Sequence, residues 1–347
     1  MTAANISASN ITVLGAGAWG TALAQALAKK NQVVLWGRNP KQMQDMQSER
    51  VNRRYLPEFP LHPELQVTAD LAYALRHVSD TGLLIVATSV SGLRDTLNAC
   101  ASLCPSLNLN AAALRVVWLC KGFEENSALL PHQIVQQVLG EQVMAGALSG
   151  PSFAQEVARG LPCALTIASH SQALSQQVVQ AAHGDGLRVY SSDDVIGVEV
   201  GGAVKNILAI ATGVVDGLGL GANARAALMT RGLAEISRLN TALGGRAETL
   251  MGLTGVGDLI LTCTGDLSRN RRVGLALAKA QSLAEIVEEL GHVAEGVRCA
   301  QTVRRMAQEL GVEMPIANAV AAVLFDGIST KQMIAQLMAR DAKQETY

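Results

Sequence analysis

The sequence predicts an α/β domain with a parallel-rich sheet, followed by an all-α domain, and three observations carry that expectation. Short, continuously apolar runs of strand length alternate with helical segments as far as about residue 195. Beyond that point the apolar positions follow a helical period throughout. The first apolar run also ends in Gly15-Ala16-Gly17-Ala18-Trp19-Gly20, directly before a stretch rich in Ala and Leu. Apolar runs without alternation belong to strands covered on both faces, as in a parallel sheet flanked by helices. A chain of 347 residues, at roughly 100–200 residues per domain, makes two domains, here 1–194 and 195–347.

The first element is the run Ile11-Thr12-Val13-Leu14. In the glycine turn after it, Gly15 permits the tight bend, Gly17 lets a pyrophosphate approach the backbone, and Gly20 lets the next helix pack on the strand. That helix then aims its N-terminal amides at the phosphates. Domain 1–194 is therefore expected to be a Rossmann-like, dinucleotide-binding unit. The second strand, 32–36, ends at Gly37-Arg38-Asn39, with no acidic residue to receive the ribose hydroxyls. Arg38 suits a 2′-phosphate, which favours NADP(H) while leaving NAD(H) open; the plain alternative is a solvated loop arginine. Further strands are expected at 82–88, 115–119 and, more weakly, 143–148 and 164–168, with helices at 91–103 and 129–138. Lys121-Gly122-Phe123-Glu124 and Gly150-Pro151-Ser152-Phe153-Ala154 follow the carboxyl ends of strands, where a doubly wound sheet holds its ligand.

The second domain begins with a helix over 195–215, capped by Ser191-Ser192-Asp193-Asp194. It is apolar on nearly every side and must be surrounded by protein. The apolar stretch 195–220 that contains it is interrupted by Glu199, Lys205 and Asp216, so its uncharged runs fall short of the ~20 residues that cross a bilayer, and no membrane insertion is expected. Lys205 is the candidate acid/base, because an unpaired ammonium in an apolar helix would cost several kcal/mol. An apolar site draws a lysine pKa towards neutrality, which suits proton donation to a developing alkoxide. The alternative is a lysine that snorkels to the surface. None of the six histidines lies in a comparable setting. Asp258 and Thr262, four residues apart, share one helical face, and Asp258 is expected beside Lys205 unless it only caps its helix. Ser268-Arg269-Asn270-Arg271-Arg272 combines arginines, a hydroxyl and a helix start, the requirements of a phosphate dianion, although a solvated basic loop has the same composition. Helices are also expected at 222–243, 272–280, 283–290, 297–310, 317–324 and 330–338.

Composition narrows the function classes. A formal net charge of −1 without a basic block gives no footprint for nucleic acid. The six cysteines show neither zinc spacing nor a Cys-x-x-Cys pair, so no metal site is expected and reduced thiols in a cytoplasmic protein are. The first ten residues are polar and uncharged, unlike a signal peptide.

In order along the chain, these motifs, together with Ala203-Val204-Lys205-Asn206, Gly255-Val256-Gly257-Asp258-Leu259 and Glu295-Gly296, resemble the bacterial NAD(P)-dependent glycerol-3-phosphate dehydrogenases over about residues 11–337. The resemblance implies reversible reduction of dihydroxyacetone phosphate to sn-glycerol 3-phosphate for glycerophospholipid synthesis. It implies that Lys205 accepts the proton in the oxidative direction and that Lys121 serves both cofactor and substrate. Gly150, Ser152, Asp258, Ser268, Arg269 and Asn270 match substrate-contacting positions. Ala18, Trp19, Arg38, Ala154, Arg269, Val293 and Glu295 match cofactor-contacting ones. The family commonly forms homodimers. The segment 107–114 and the first ten residues depart from the family pattern outside its motifs. The competing readings are a related β-hydroxyacid dehydrogenase, whose substrate carboxylate the basic cluster would hold, and a non-catalytic NADPH sensor.

Overall fold

Strands rich in Val, Ile and Leu alternate with helices through the first part of the computed structural model, which describes residues 8–79, 81–184, 186–291 and 294–341. In chain order these are β1 (Asn10–Leu14), α1 (Ala18–Ala28), β2 (Gln32–Trp36), α2 (Pro40–Glu49), β3 (Val51–Asn52), β4 (Leu56–Pro60), β5 (Gln66–Thr68) and α3 (Leu71–Val78). Then follow β6 (Leu83–Val86), α4 (Val90–Leu103), β7 (Arg115–Trp118), α5 (Pro131–Leu139), β8 (Met144–Ser149), α6 (Ala154–Ala158), β9 (Cys163–Ala168), α7 (Gln172–Ala182) and β10 (Leu187–Ser192). One sheet runs β10-β9-β8-β7-β6-β1-β2-β5. Every pairing in it is parallel except β8 with β9, and β3 and β4 form a separate antiparallel pair. The order reverses between β1 and β6, so the switch point lies at the glycine turn that ends β1. Ile11, Val13 and Leu14 of β1 are fully buried, as are Leu23 of α1 and Leu84 of β6. Each such side chain contributes about 1.5–3 kcal/mol of burial, which holds the turn on a rigid base.

The later part is helical: α8 (Val195–Gly217), α9 (Gly221–Ala242), α10 (Asp258–Thr264), α11 (Arg269–Ala278), α12 (Leu283–Leu290), α13 (Glu295–Glu309), α14 (Pro315–Phe325) and α15 (Thr330–Met338). A 3-10 turn (Ala247–Met251) and a π turn (Leu253–Gly257) lead into α10. The most apolar window of α8 is 94% buried, which makes this 23-residue helix a core column. It lies so close to α11 that a Cβ on Gly213 would sit 2.1 Å from the Arg271 carbonyl oxygen, and one on Gly274 2.0 Å from that of Ile210.

Three expectations are corrected. β3, β4, β5 and β10 are not among the expected strands: β3 and β5 are only two and three residues long, β4 (Leu-Pro-Glu-Phe-Pro) is mostly exposed and carries two prolines, and buried and exposed residues alternate along β10. Ser191 and Ser192 do not stand before α8 as a free cap; they complete β10, in register with Ile167 and Ala168 of β9. The expected single break at 194/195 also differs from the contacts, which divide the chain into Met1–Cys120 with Leu129–Val195, and Lys121–Ala128 with Ile196–Tyr347. Lys121–Ala128 joins the helical unit because Lys121 pairs with Asp258 and Glu125 with Arg298.

Candidate active site

In the first unit, the three glycines of the turn differ in what their surroundings require. Gly15 has φ +124°, and a Cβ there would lie 2.8 Å from the Ala87 oxygen just past β6. A Cβ on Gly20 would meet the Gly15 oxygen at 2.0 Å. Gly17 has φ −78°, a conformation open to any residue, and a Cβ there would meet nothing within 4 Å. The chain's own packing therefore does not demand a glycine at 17, and the space in front of that residue is open. Helix α1 starts with no side-chain cap and no acidic residue in its first turn, which leaves the amides of Ala18, Trp19 and Gly20 suited to an anion. These features fit the pyrophosphate of a dinucleotide. At the end of β2, Arg38 is exposed and Asn39 caps α2, its Oδ1 accepting from the Gln42 amide at 3.1 Å. Gly150 has φ +140° directly after β8, and the Ser152 hydroxyl donates to its carbonyl at 3.1 Å. Ala154 opens α6. Trp19 and Ala154 both pack against the apolar core of this unit. Two amides that sequence reasoning did not single out, Gln42 and Asn52, bond the turn at Ala16.

The second unit holds a cation–anion–cation cluster. Lys205 Nζ donates to Asp258 Oδ1 at 2.5 Å and to Thr262 Oγ1 at 2.7 Å. Lys121 Nζ donates to the other carboxylate oxygen, Asp258 Oδ2, at 2.7 Å. Thr262 donates its own hydroxyl hydrogen bond to the Asp258 carbonyl at 2.6 Å, which leaves its lone pairs to accept from Lys205. Lys205 and Asp258 are buried and Lys121 is only partly exposed. Burial lowers the Lys205 pKa to about 8; Asp258 pushes it back up and Lys121 pushes it down again. Burial works against the Asp258 carboxylate, yet the two ammonium groups prevail and hold it below the ordinary value. The result is a fixed anion that carries one proton-bearing lysine near neutrality.

Most of the basic segment is engaged in contacts within the helical unit. Ser268 caps α11 by accepting from the Arg271 amide at 3.3 Å. Arg271 binds Asp216 and Asp266, and Arg272 donates to the Asp266 carbonyl. Asn270 turns inward: its Nδ2 donates to Asn206 Oδ1 at 3.0 Å and its Oδ1 accepts from the Gly296 amide at 2.9 Å. Arg272 is exposed, and so is Arg269, although the Arg269 guanidinium is partly shielded from solvent. Desolvation lowers its pKa and nearby Glu295 raises it. Burial raises the Glu295 pKa, opposed by Arg298 and Arg269. Lys121, Lys205, Asp258, Ser268, Arg269, Asn270 and Glu295 thus fall in one unit, while Gly15, Gly17, Ala18, Trp19, Gly20, Arg38, Gly150, Ser152 and Ala154 fall in the other. Val293 lies outside the described residues.

Two family models match the chain: the N-terminal region of NAD-dependent glycerol-3-phosphate dehydrogenase over residues 10–175, and its C-terminal region over 194–335. The glycerol-3-phosphate dehydrogenase [NAD(P)+] of Herminiimonas arsenicoxydans is 62% identical over 337 residues, covering 97% of this chain and 99% of that protein. That of Paucimonas lemoignei is 63% identical over 338 residues, covering 97% and 98%. Among solved structures, the glycerol-3-phosphate dehydrogenase of Coxiella burnetii superposes with a TM-score of 0.89 at 42% identity, over 96% of this chain and 99% of that one.

Proposed function

The chain belongs to the NAD-dependent glycerol-3-phosphate dehydrogenase family, and from that premise we propose that it interconverts dihydroxyacetone phosphate and sn-glycerol 3-phosphate, with Lys205 carrying the proton. The observation that carries this assignment is the buried Lys205–Asp258–Lys121 chain, with contacts of 2.5 and 2.7 Å. NADPH or NADH, when bound, supplies the hydride.

In the reductive direction the Lys205 ammonium donates its proton to the oxygen that becomes the C2 hydroxyl. In the oxidative direction the neutral amine takes it back. Asp258 holds that ammonium in place, and Lys121 offers a second cation to the same region of charge. Arg269 carries the phosphate as a charge-assisted partner, and the amides that open α11 assist it. Asn270, bound to Asn206 and the Gly296 amide, fixes the start of α11. Gly150 and Ser152 stand as further substrate contacts. Gly15, Gly17, Gly20, Ala18, Trp19, Ala154, Arg38, Lys121, Arg269 and Glu295, with Val293 from the resemblance alone, hold the dinucleotide. The cysteine pattern, six thiols without disulfide or zinc spacing, supports a reducing, cytoplasmic setting. The product feeds glycerophospholipid synthesis, and the chain pairs with a second copy, as its family commonly does; light scattering on the purified protein checks the pairing.

The test of the reaction is consumption of NADPH, followed by its absorbance, with dihydroxyacetone phosphate beside unphosphorylated dihydroxyacetone. Turnover of the phosphorylated compound alone supports the reading. Turnover of hydroxyacids with none of glycerol 3-phosphate would replace it with the hydroxyacid alternative.

A further inference from the structure

The carbonyl of Ala16, inside the glycine turn, is held by two side chains at once. Gln42 Nε2 of α2 donates to it at 3.2 Å, and Asn52 Nδ2 of β3 donates to it at 3.0 Å. Both lone pairs of one backbone oxygen are therefore filled by amides from elements outside the turn. The second N–H of Asn52 goes to Thr21 Oγ1 at 2.8 Å, which ties the turn to the first helical residues behind it. Asn52 and Thr21 are both fully buried.

The peptide between Ala16 and Gly17 is trans, like every described peptide of the chain. In a trans peptide the carbonyl and the following N–H point in opposite directions. Two donors that fix the Ala16 oxygen therefore also fix the Gly17 N–H, aimed away from Gln42 and Asn52. Gly17 is the residue whose missing side chain leaves open space and whose neighbours begin α1. The chain is shaped to deliver both clamps. Asn39 caps α2 immediately after Arg38, which places Gln42 one turn in. Arg50 ends α2 at φ 54° and so bends the backbone back, with Asn52 two residues on. The Arg50 guanidinium supports that bend by donating to the carbonyls of His62 and Pro63.

We infer that Gln42 and Asn52 are positioning residues for the dinucleotide: they preorganise the backbone amides that receive its pyrophosphate. This rests on reading the glycine turn as the pyrophosphate seat. The pyrophosphate is common to both nucleotides, so the two residues govern NADPH and NADH alike, whereas Arg38 would distinguish them.

The experiment is calorimetric titration of the full-length protein with NADPH and with NADH, alongside thermal melting and steady-state kinetics. Gln42→Met keeps the stem and removes the donor; Asn52→Ser removes the other; Lys41→Ala, on the same helix, is the control. Each of the first two is expected to weaken both nucleotides equally, by about 3- to 10-fold, the loss of one hydrogen bond. The nucleotide KM should rise with the KM for the phosphorylated substrate unmoved, and Lys41→Ala should change neither. Gln42 is half-buried, so its variant decides the matter even if Asn52→Ser fails to fold. Unchanged affinity in Gln42→Met, or a loss confined to NADPH, would overturn the inference. Wild-type protein that binds neither nucleotide would instead remove the reading of the turn on which it rests.

Discussion

Lys205 answers to several influences at once, and their signs set the expected effect of pH on the proposed reaction. Burial brings its pKa down to about 8, Asp258 opposes that shift, and Lys121 adds to it. With Lys205 as the proposed proton carrier, reduction needs the ammonium and its rate should hold below that pH and fall through it; oxidation, which needs the amine, should rise through the same range. In Asp258→Asn the neighbour that raises the pKa most is lost, while burial and Lys121, which lower it, remain. The alkaline limb of the reductive pH profile should then move to lower pH, and a limb that stays or moves up would mean another group titrates. Lys205→Met should lose at least about 10²–10⁴-fold in turnover while nucleotide affinity, measured by titration, is retained. Both residues were legible in the sequence because a charge within an apolar helix or on a shared helical face stands out against its surroundings. Asn52 was not. It lies in Glu49-Arg50-Val51-Asn52-Arg53-Arg54, where a buried amide looks like one more polar surface residue.

At the level of elements, two glycines of opposite meaning can be separated by stability and binding. Gly274 is set by packing, since a Cβ there would lie 2.0 Å from the Ile210 oxygen of α8 and no backbone can yield that far cheaply. Gly274→Ala should destabilise the protein by about 1–3 kcal/mol in denaturant unfolding, the range of overpacked cores. Gly17, by contrast, is free of packing constraint and is proposed to lie against the dinucleotide. Gly17→Ala, with ordinary φ and nothing within 4 Å of the new methyl group, should leave the unfolding midpoint unchanged. It should weaken NADPH and NADH by about tenfold or more, the same overpacking cost moved to the ligand. A fall in midpoint with binding intact would reverse that assignment. The long helices and central strands were legible because their apolar periods run for several turns or for a whole strand. Helix starts were less so. The expected start at Arg272 proved to be Arg269, because Ser268 supplies the cap and the polar residues after it carry no apolar period. The three-residue β5 is too short for any period to register.

For the whole chain, the change of period near residue 195 separates strand-bearing from helical sequence, yet period cannot show which contacts a segment makes. Lys121–Ala128 follows a strand in sequence and belongs with the helices by contact. Its ties are tertiary: Lys121 to Asp258 at 2.7 Å, Glu125 to Arg298 at 3.5 Å, and the buried Phe123, whose backbone bonds the Cys299 thiol. The consequence is a cooperative unit discontinuous in sequence, and native-state hydrogen exchange on the full-length protein can detect it. As denaturant rises through the mild range, the protection of the Phe123 amide should disappear with that of α10 and α13 and separately from Val117 in β7, only six residues upstream. Phe123→Ala should lower the opening free energy of α10 and α13 by about 3–5 kcal/mol, the usual cost of emptying a buried aromatic site, with β1 and β6 unaffected. If Phe123 instead exchanged in step with Val117, chain order would govern the cooperative units, and Lys121 would be held near Asp258 by the sheet that precedes it.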